Sequence, residues 1–212
     1  MRPPRIPTSL AVATLPDQDL TDECILENFE FTKLDLPDRE ARLVEIDRCR
    51  FQEVNLSGTA LQRARGSDLV VVDSDLANFS AESSSLSRAR FETSRLTGGR
   101  WVDGKLRHVI FSHCRLDLAV FWETTFEEVT FEDCNLAHVD FADADLSGTT
   151  FVRCDLSRGR LLRAKMEGVR IESCKLDAIT GIASMRGSSV TSADLQSLTY
   201  AFAREIGIEI VD

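Results

Sequence analysis

The sequence predicts a solenoid, a fold in which the chain winds into stacked coils. Large apolar residues occupy every fifth position from Leu26 to Leu176, and 28 of these 31 positions carry Leu, Phe, Ile, Val, Met or Trp. The exceptions are Ala41, Gly66 and Ala81. Amphipathic helices and half-buried strands repeat with periods of about 3.6 and 2.0 residues. An uninterrupted period of five residues therefore indicates a chain that winds in repeating coils.

A second period, four times as long as the first, predicts the length of one coil. Leucine stands at every twentieth position in one series: Leu36, Leu56, Leu76, Leu96, Leu116, Leu136, Leu156 and Leu176. The position five residues before each leucine is usually phenylalanine. The position two residues before each core centre is usually small, and all six cysteines fall there. Four five-residue units therefore make one coil, and 31 units make about eight coils.

The predicted core is large but has irregular positions. Eight coils stacked about 4.8 Å apart give a rod about 37 Å long. Burial of each Leu or Phe side chain contributes about 1.5 to 3 kcal/mol, so the fold does not need disulfides. Phe79 precedes Ala81 by two residues and is expected to keep the local volume similar. Gly66 and Arg39, the one charge at an inward position, are expected to loosen the wall locally.

These units resemble the repeats of the pentapeptide repeat family, whose motif is roughly A-(D/N)-L-x-x. The motif is seen in Cys134-Asn135-Leu136, Ala144-Asp145-Leu146 and Cys154-Asp155-Leu156, and the resemblance covers residues 24–178. It implies an all-β solenoid, a right-handed quadrilateral β-helix in which the centre residue and the residue two before it face inward. The other three positions of each unit then face outward, and nearly all charged residues lie there.

The two ends are predicted to cap the solenoid, because its end coils would otherwise be exposed. Residues 1–23 hold four of the five prolines and form a lead-in over the first coil, and residues 24–180 form the repeat. In residues 181–212, Thr191 and Asp194 resemble a capping box. A helix of about 13 residues is expected over the last coil, ending at Gly207. Its apolar positions are Leu195, Leu198, Phe202 and Ile206, followed by a short extended tail with Ile208, Ile210 and Val211.

The composition gives no sign of catalysis or of a membrane segment. No catalytic motif, phosphate loop, dinucleotide fingerprint or converging set of metal ligands is present, so we expect no enzyme activity, cofactor or metal. His108, His113 and His138 lie at outward positions, and none has another histidine at the same position of a neighbouring coil. The lack of a signal peptide and of about 18 consecutive apolar residues favours a cytoplasmic protein. There the inward cysteines are expected to be small buried fillers rather than disulfides.

Acidic residues suggest a class of partner. The formal net charge is −10, and residues 116–152 contain nine acids but no Lys or Arg. These are Asp117, Glu123, Glu127, Glu128, Glu132, Asp133, Asp140, Asp143 and Asp145. Some members of the family protect DNA gyrase and related type II topoisomerases by presenting a rod of DNA-like width and charge. The resemblance therefore implies a topoisomerase as partner rather than nucleic acid itself, and a rod of about 37 Å would match about 11 base pairs.

The alternative is that these acids are paired within the protein. Residues one coil apart in sequence are neighbours on adjacent coils, and each surface ion pair contributes about 0 to 1 kcal/mol. Five pairs are predicted in this way: Asp133–Arg153, Asp140–Arg160, Asp143–Arg163, Asp145–Lys165 and Glu127–Arg107. Asp117, Glu123, Glu128 and Glu132 have no such partner. Asp103, Glu123 and Asp143 form a like-charge ladder, which folding alone would not favour.

An apolar stripe predicts a contact surface. Val102, Trp122, Ala142 and Leu162 share one outward column, with Leu118 and Val120 beside Trp122. A contiguous apolar stripe with a Trp is typical of an interface hot spot. The alternative is that the N-terminal segment or a loop covers the stripe. The predicted partner-binding residues are Val102, Asp103, Asp117, Val120, Trp122, Glu123, Glu128, Glu132, Asp143 and Leu162.

Together these features favour a non-enzymatic protein that acts by protein–protein interaction. DNA gyrase or another type II topoisomerase is the specific candidate partner. A structural scaffold or interaction module without DNA mimicry is the alternative. The resemblance also implies a homodimer through residues 191–211.

Overall fold

The computed structural model describes residues 1–209 and confirms the β-solenoid. Its strands, in chain order, are β1 Ala11–Val12, β2 Ile25–Glu27, β3 Phe29–Thr32, β4 Glu40–Arg42, β5 Glu45–Asp47, β6 Arg50–Gln52, β7 Ala60–Gln62, β8 Arg65–Val72, β9 Ser80–Glu82, β10 Ser85–Glu92, β11 Arg100–Val102, β12 Lys105–Ser112, β13 Val120–Trp122, β14 Thr125–Glu127, β15 Thr130–Glu132, β16 Thr150–Val152, β17 Arg170–Glu172 and β18 Ser189–Val190. A 3₁₀ helix, Ile182–Met185, precedes β18, and two α-helices follow it: α1 Ser192–Ser197 and α2 Thr199–Glu205.

All strand pairs are parallel, and within the repeat each residue pairs with its equivalent on the next coil, as Phe131 does with Phe151. A five-stranded sheet, ordered β13-β11-β9-β7-β4, forms one side of the solenoid. In the larger sheet, β8, β10 and β12 are long enough to turn a corner, so this sheet covers two sides. The remaining side is linked by isolated bridges such as Asp35 to Asn55 and Asn55 to Asp75. The cross-section is therefore four-sided.

The solenoid extends beyond the five-residue register at both ends. β1 pairs with β3 so that Ala11 lies opposite Phe29, and β18 pairs with β17 so that Ser189 lies opposite Arg170. The main path of the larger sheet consequently has about nine turns rather than the eight predicted. The sequence period did not reveal these end turns because both are shorter than a regular coil.

The core lies where the five-residue period placed it. Of the 31 centre positions, 28 are buried, including Leu116, Phe131 and Leu156. Phenylalanine rings stack along the rod, with ring centroids 4.9 Å apart for Phe111 and Phe131 and 5.1 Å apart for Phe131 and Phe151. The dry interior is therefore a continuous apolar column.

Left-handed backbone conformations make the corners. Every fifth residue from Glu23 to Ala178 has a positive φ, and four of these residues are glycine. For other residues this conformation costs about 1 to 2 kcal/mol each. The strain is offset by hydrogen bonds between coils, because the corner N–H donates to a carbonyl of the next coil. The Lys33 N–H to the Gln52 oxygen, at 3.0 Å, is an example.

The N-terminal segment does more than lie over the first coil. The ammonium group of Met1 is 2.8 Å from Glu128 Oε2, and the Arg5 N–H donates to Asp68 Oδ1 at 2.8 Å. Glu128 and Asp68 are three coils apart in one corner column, so residues 1–10, here called the N-terminal strap, run along the outside of the solenoid. The chain then turns into β1 at the edge of the larger sheet.

The C-terminal cap is present but differs from the predicted helix. Thr191 Oγ1 accepts from the Asp194 N–H at 3.2 Å, which confirms the predicted N-cap. The single helix is replaced by α1 and α2, which meet at Leu198. Of the four predicted apolar positions only Leu198 is buried; the other three are exposed, so the predicted buried face was wrong. Ile208 is also exposed, while Ile210 and Val211 lie outside the described residues.

Arg39 does not loosen the wall as expected. Its Nε donates to Asp19 Oδ1 at 2.8 Å and its Nη1 to the Pro37 carbonyl at 3.1 Å, so the charge is paired at the N-terminal edge. The six cysteines are free thiols; five are buried and Cys24 is partly exposed. Burial raises the pKa of the Cys49 thiol, which keeps it protonated at neutral pH.

Candidate interaction surface

The predicted apolar stripe lies along one side of the rod. Val102 ends β11 and Trp122 ends β13, and the two residues are paired across the five-stranded sheet. Trp122 is 39% exposed and Leu162 43% exposed, whereas Ala142 between them is buried. Val102 is partly exposed. We call these four residues the Trp122 stripe. The N-terminal strap contacts the corner column of Asp68 and Glu128 instead, and Trp122 stays partly exposed to solvent.

A shallow depression of about 240 Å³ accompanies the Trp122 stripe. Trp122, Ala142 and Leu162 contribute its apolar surface. Its charged lining residues are Glu123, Asp143, Arg160 and Arg163. The depression thus combines an apolar floor with a charged rim, the arrangement found at protein interfaces.

Trp122 is held from one side by Arg100. The Arg100 guanidinium carbon lies 5.4 Å from the centroid of the Trp122 ring. A cation–π contact at an exposed site contributes about 0.5 to 1 kcal/mol. The contact orients the indole without burying it, so the ring remains available to a partner.

The like-charge ladder beside the Trp122 stripe is only partly neutralised. Both oxygens of Asp143 accept from Arg163 at 2.6 Å, and this pair lowers the pKa of Asp143. Asp103 accepts from Ser83 Oγ at 2.9 Å. Glu123 has no ion-pair partner within residues 1–209. Glu123 is therefore the acid at this surface that remains available to a basic group of a partner.

Most of the acidic band is paired within the protein. All five predicted pairs are present, from 2.6 Å for Asp143–Arg163 to 3.5 Å for Asp145–Lys165. Glu132 has no basic partner one coil away in its own column, as predicted, but Arg153 Nη2 reaches it diagonally across the coils at 2.7 Å. Asp117, which also lacks such a partner, lies 3.8 Å from Arg115 Nε and accepts from Thr97 at 2.9 Å.

Glu128 is also paired, at a site that sequence reasoning missed. Its Oε2 is 3.0 Å from Nδ1 of His108 and 2.8 Å from the Met1 ammonium group. The ammonium group, followed by His108, lowers the pKa of Glu128. His108, predicted to lie at an outward position, is nevertheless 5% exposed. The alternating charges of Arg48, Asp68 and Arg88 in the same corner column could have indicated a paired, covered surface.

The ten predicted partner-binding residues consequently fall into two groups. Seven lie on or beside the Trp122 stripe: Val102, Asp103, Val120, Trp122, Glu123, Asp143 and Leu162. Glu128 and Glu132 belong to the other sheet, β15 and the turn before it, and Asp117 to the bridged side. The structure does not bring these three residues to the Trp122 stripe.

Two further properties concern residues 1–209. No helix there is long and apolar enough to cross a membrane. No group of three or more His, Cys, Asp or Glu residues in the same range is placed to hold a metal ion.

Comparison with known proteins identifies the repeats. A family profile described as pentapeptide repeat region matches residues 44–121, and a second, described as pentapeptide repeats (8 copies), matches residues 134–172. Together the two matches cover more than half of the chain. No curated protein sequence gives a significant match.

Two solved structures are similar to this chain at low sequence identity. HetL, a pentapeptide repeat protein involved in heterocyst differentiation regulation from the cyanobacterium Nostoc sp. strain PCC 7120, is 16% identical; the match covers 82% of this chain and 90% of HetL, with a TM-score of 0.30. A trypsin-treated form of QnrB1, a plasmid-mediated fluoroquinolone resistance protein, is 13% identical over 91% of this chain and 100% of that chain, with a TM-score of 0.29.

Proposed function

We propose that this chain, which belongs to the pentapeptide repeat family, acts without catalysis as a protein-interaction module whose docking surface is the Trp122 stripe. One observation carries the proposal: the Trp122 ring is 39% exposed beside other apolar residues instead of being covered by the chain's own strap. Binding energy at interfaces concentrates at a few residues, and Trp is among the most frequent. We therefore infer that a partner protein buries the Trp122 indole.

The rim defines the chemistry of the partner. The depression between Trp122 and Leu162 accepts an apolar side chain. Glu123, free of ion pairs within residues 1–209, accepts a Lys or Arg placed next to that side chain. Arg160 is less available because it is bound to Asp140 at 2.8 Å. A protein surface with one apolar group beside one basic group therefore fits best.

Inhibition or protection of DNA gyrase, or of another type II topoisomerase, by DNA mimicry is the second candidate. The net charge of −10 and the nine acids of residues 116–152 support it. Internal pairing counts against it, because eight of these nine acids form an ion pair with a basic group of the chain. Of the two candidates, an interaction module without DNA mimicry is the one we favour.

Self-association through the C-terminal region is a compatible proposal. Five large apolar side chains of this region are exposed: Leu195, Tyr200, Phe202, Ile206 and Ile208. So many exposed large apolar side chains in one short region favour contact with another molecule. We also propose that the chain is cytoplasmic; its six free thiols support this proposal, because thiols stay reduced in that compartment.

Replacement of Trp122 by Glu tests the docking surface. Leu43→Glu is the matched control, because Leu43 is an apolar residue with 48% exposure that lies outside the depression, four coils from Glu123 in the same corner column. Proteins captured by the wild type would be purified and their affinities for all three chains measured. We expect a loss of about tenfold or more for Trp122→Glu, which corresponds to more than about 1.4 kcal/mol. Equal affinities for all three chains, each with an unchanged circular dichroism spectrum, would reject the surface.

The gyrase candidate has a separate test. Purified chain is added in stoichiometric excess to a DNA gyrase supercoiling reaction, with and without a quinolone. Inhibition, or protection from the quinolone, would support DNA mimicry. No effect in either reaction would remove this candidate and leave the interaction module standing.

A further inference from the structure

One coil of the solenoid has much less side-chain volume than its neighbours. Its four core centres are Gly66, Val71, Leu76 and Ala81. Three coils further on, the corresponding centres are Phe126, Phe131, Leu136 and Phe141, all buried. Because consecutive coils are held at one spacing by their backbone hydrogen bonds, the wall cannot collapse into the missing volume. The small coil must be filled by other side chains or remain partly empty.

Neighbouring side chains fill it only in part. Leu69 and Phe79 stand two residues before a core centre, where the chain usually has a small residue. A Cβ atom on Gly66 would lie 3.0 Å from Leu69 Cδ1 and 2.8 Å from Leu86 Cδ1, so these two leucines lean into the space that a side chain would take. A cavity of about 100 Å³ nevertheless remains. Leu69 and Phe79 together therefore leave part of the missing volume of this coil unfilled.

The cavity is apolar and bounded by aromatic rings. Phe51 and Phe91 lie on the coils below and above Val71, to which both are paired. Trp101 and Phe79 contribute further aromatic surface, with ring centroids 6.1 Å apart. No buried charge or unsatisfied polar group lines it among the described residues. Water entering such a space would lose hydrogen bonds, whereas a polarisable apolar molecule would gain contacts.

The wall has an opening beside the cavity. Only three of the 31 core centres are partly exposed, and they are consecutive in one column: Ile46, Gly66 and Leu86. Gly66, in the middle, has no side chain to close the gap. The space next to Gly66 is occupied by the ends of the flexible side chains of Leu69 and Leu86. An entering molecule would therefore displace side chains and not backbone.

We propose that this cavity is a binding site for one compact apolar molecule no larger than benzene, which enters past Gly66. An engineered apolar cavity of about 150 Å³ in another protein stays dry and binds benzene or xenon. The present cavity is smaller but belongs to the natural sequence. It is independent of the Trp122 stripe, whose depression has other lining residues.

Crystals of the wild-type chain under xenon pressure give the primary test. Xenon is expected among Val71, Ala81 and Leu69. The absence of xenon at this position in the wild type would overturn the proposal.

Variants extend the test to solution, with benzene as the probe. Val71→Phe continues the ring stack between Phe51 and Phe91 and fills the cavity, and Ala81→Leu fills it from another side. Ile171→Phe is the matched control, since it makes a comparable change in the same column at the far end of the rod. Because a ligand that binds only the folded state stabilises it, benzene should raise the melting temperature of the wild type and of Ile171→Phe. It should have no such effect on Val71→Phe or Ala81→Leu. An equal rise in the filled variants would contradict the proposal.

Discussion

Asp194 Oδ1 accepts a hydrogen bond from the backbone N–H of Cys174 at 2.9 Å, across the junction between the last coil and helix α1. The other oxygen, Oδ2, accepts from the Ser173 N–H, also at 2.9 Å. Within the solenoid such N–H groups are bound by the next coil, as the Arg153 N–H is by the Glu172 carbonyl at 2.8 Å. After the last full coil, one buried carboxylate takes over this role. The cap therefore stabilises the repeat by satisfying its terminal donors as well as by covering it.

Asp194→Ala should destabilise the C-terminal end of the solenoid. The substitution leaves two donors, the Ser173 and Cys174 N–H groups, without partners. It also removes the hydrogen bond that the Thr191 hydroxyl donates to Asp194 Oδ2. Hydrogen bonds to charged groups contribute about 1.5 to 3 kcal/mol each, so we expect a loss of about 2 to 4 kcal/mol in the free energy of unfolding. Urea unfolding followed by circular dichroism measures it. Asp177→Ala is the control, because Asp177 is exposed; an equal loss in both variants would contradict the assigned role.

Asp68 should make the N-terminal strap sensitive to acid. Burial alone would raise its pKa, but the paired hydrogen bonds from Arg88, at 2.6 and 2.7 Å, and the Arg5 N–H outweigh burial and lower the pKa. Because the pKa of Asp68 in the folded state is below the unfolded value of 3.8, its ionised carboxylate stabilises the folded strap at neutral pH. This stabilisation is lost as the pH falls below about 4 and then through the folded-state pKa of Asp68.

Limited trypsin digestion at the Arg5–Ile6 bond, carried out at neutral pH, tests whether the charge of Asp68 holds the strap in place. Asp68→Asn removes the charge under the strap, and a loss of about 1.4 kcal/mol would speed cleavage about tenfold when the strap opens and closes faster than trypsin cuts. The control is Asp38→Asn, an exposed acid at another corner. If Asp68→Asn and wild type were cleaved at the same rate, the strap would not depend on this ion pair.

Phe131→Ala should be among the most destabilising single substitutions. Its side chain is fully buried, between rings 4.9 and 5.1 Å away on the two adjacent coils. Removal of a buried Phe costs about 3 to 5 kcal/mol, because the rigid coil spacing preserves the cavity. Urea unfolding of Phe131→Ala is compared with Leu118→Ala, which removes a side chain with 56% exposure. A cost below about 1 kcal/mol for Phe131→Ala would mean that adjacent coils can close up.

The interior could be predicted because its pattern is local and repeated. Each centre such as Leu116 is recognisable from apolarity and spacing alone, and the columns formed by equivalent positions of successive coils also predict ion pairs such as Asp133–Arg153. The pair of Arg153 with Glu132 was missed because a long side chain reaches diagonally, out of its own column. The coil count was low because β1 and β18 depart from the period.

The strap and the binding surface are less accessible to sequence reasoning. The contact of Arg5 with Asp68 joins distant parts of the chain and obeys no repeat, so nothing in the pattern indicated it. Residues of the Trp122 stripe could be grouped because they share a column. The partner proposed to cover them is another molecule, whose surface cannot be read from this sequence. The incomplete filling around Gly66 depends on leucine rotamers, which spacing does not specify.

The C-terminal helices should make the chain a dimer in solution. Tyr200 and Ile206 are 67% and 72% exposed, and Phe202 is 43% exposed, although Leu198 and Ala201 already anchor the helices to the last coil. Burial of such side chains between two copies would stabilise the dimer by about 25 cal/mol per Å² of apolar surface removed from water, before the costs of association. Light scattering coupled to size-exclusion chromatography should give twice the mass of the 23.7 kDa chain. Phe202→Glu should return the chain to monomer, whereas Leu43→Glu should remain dimeric. A wild type that is monomeric at every concentration tested would exclude self-association through this region.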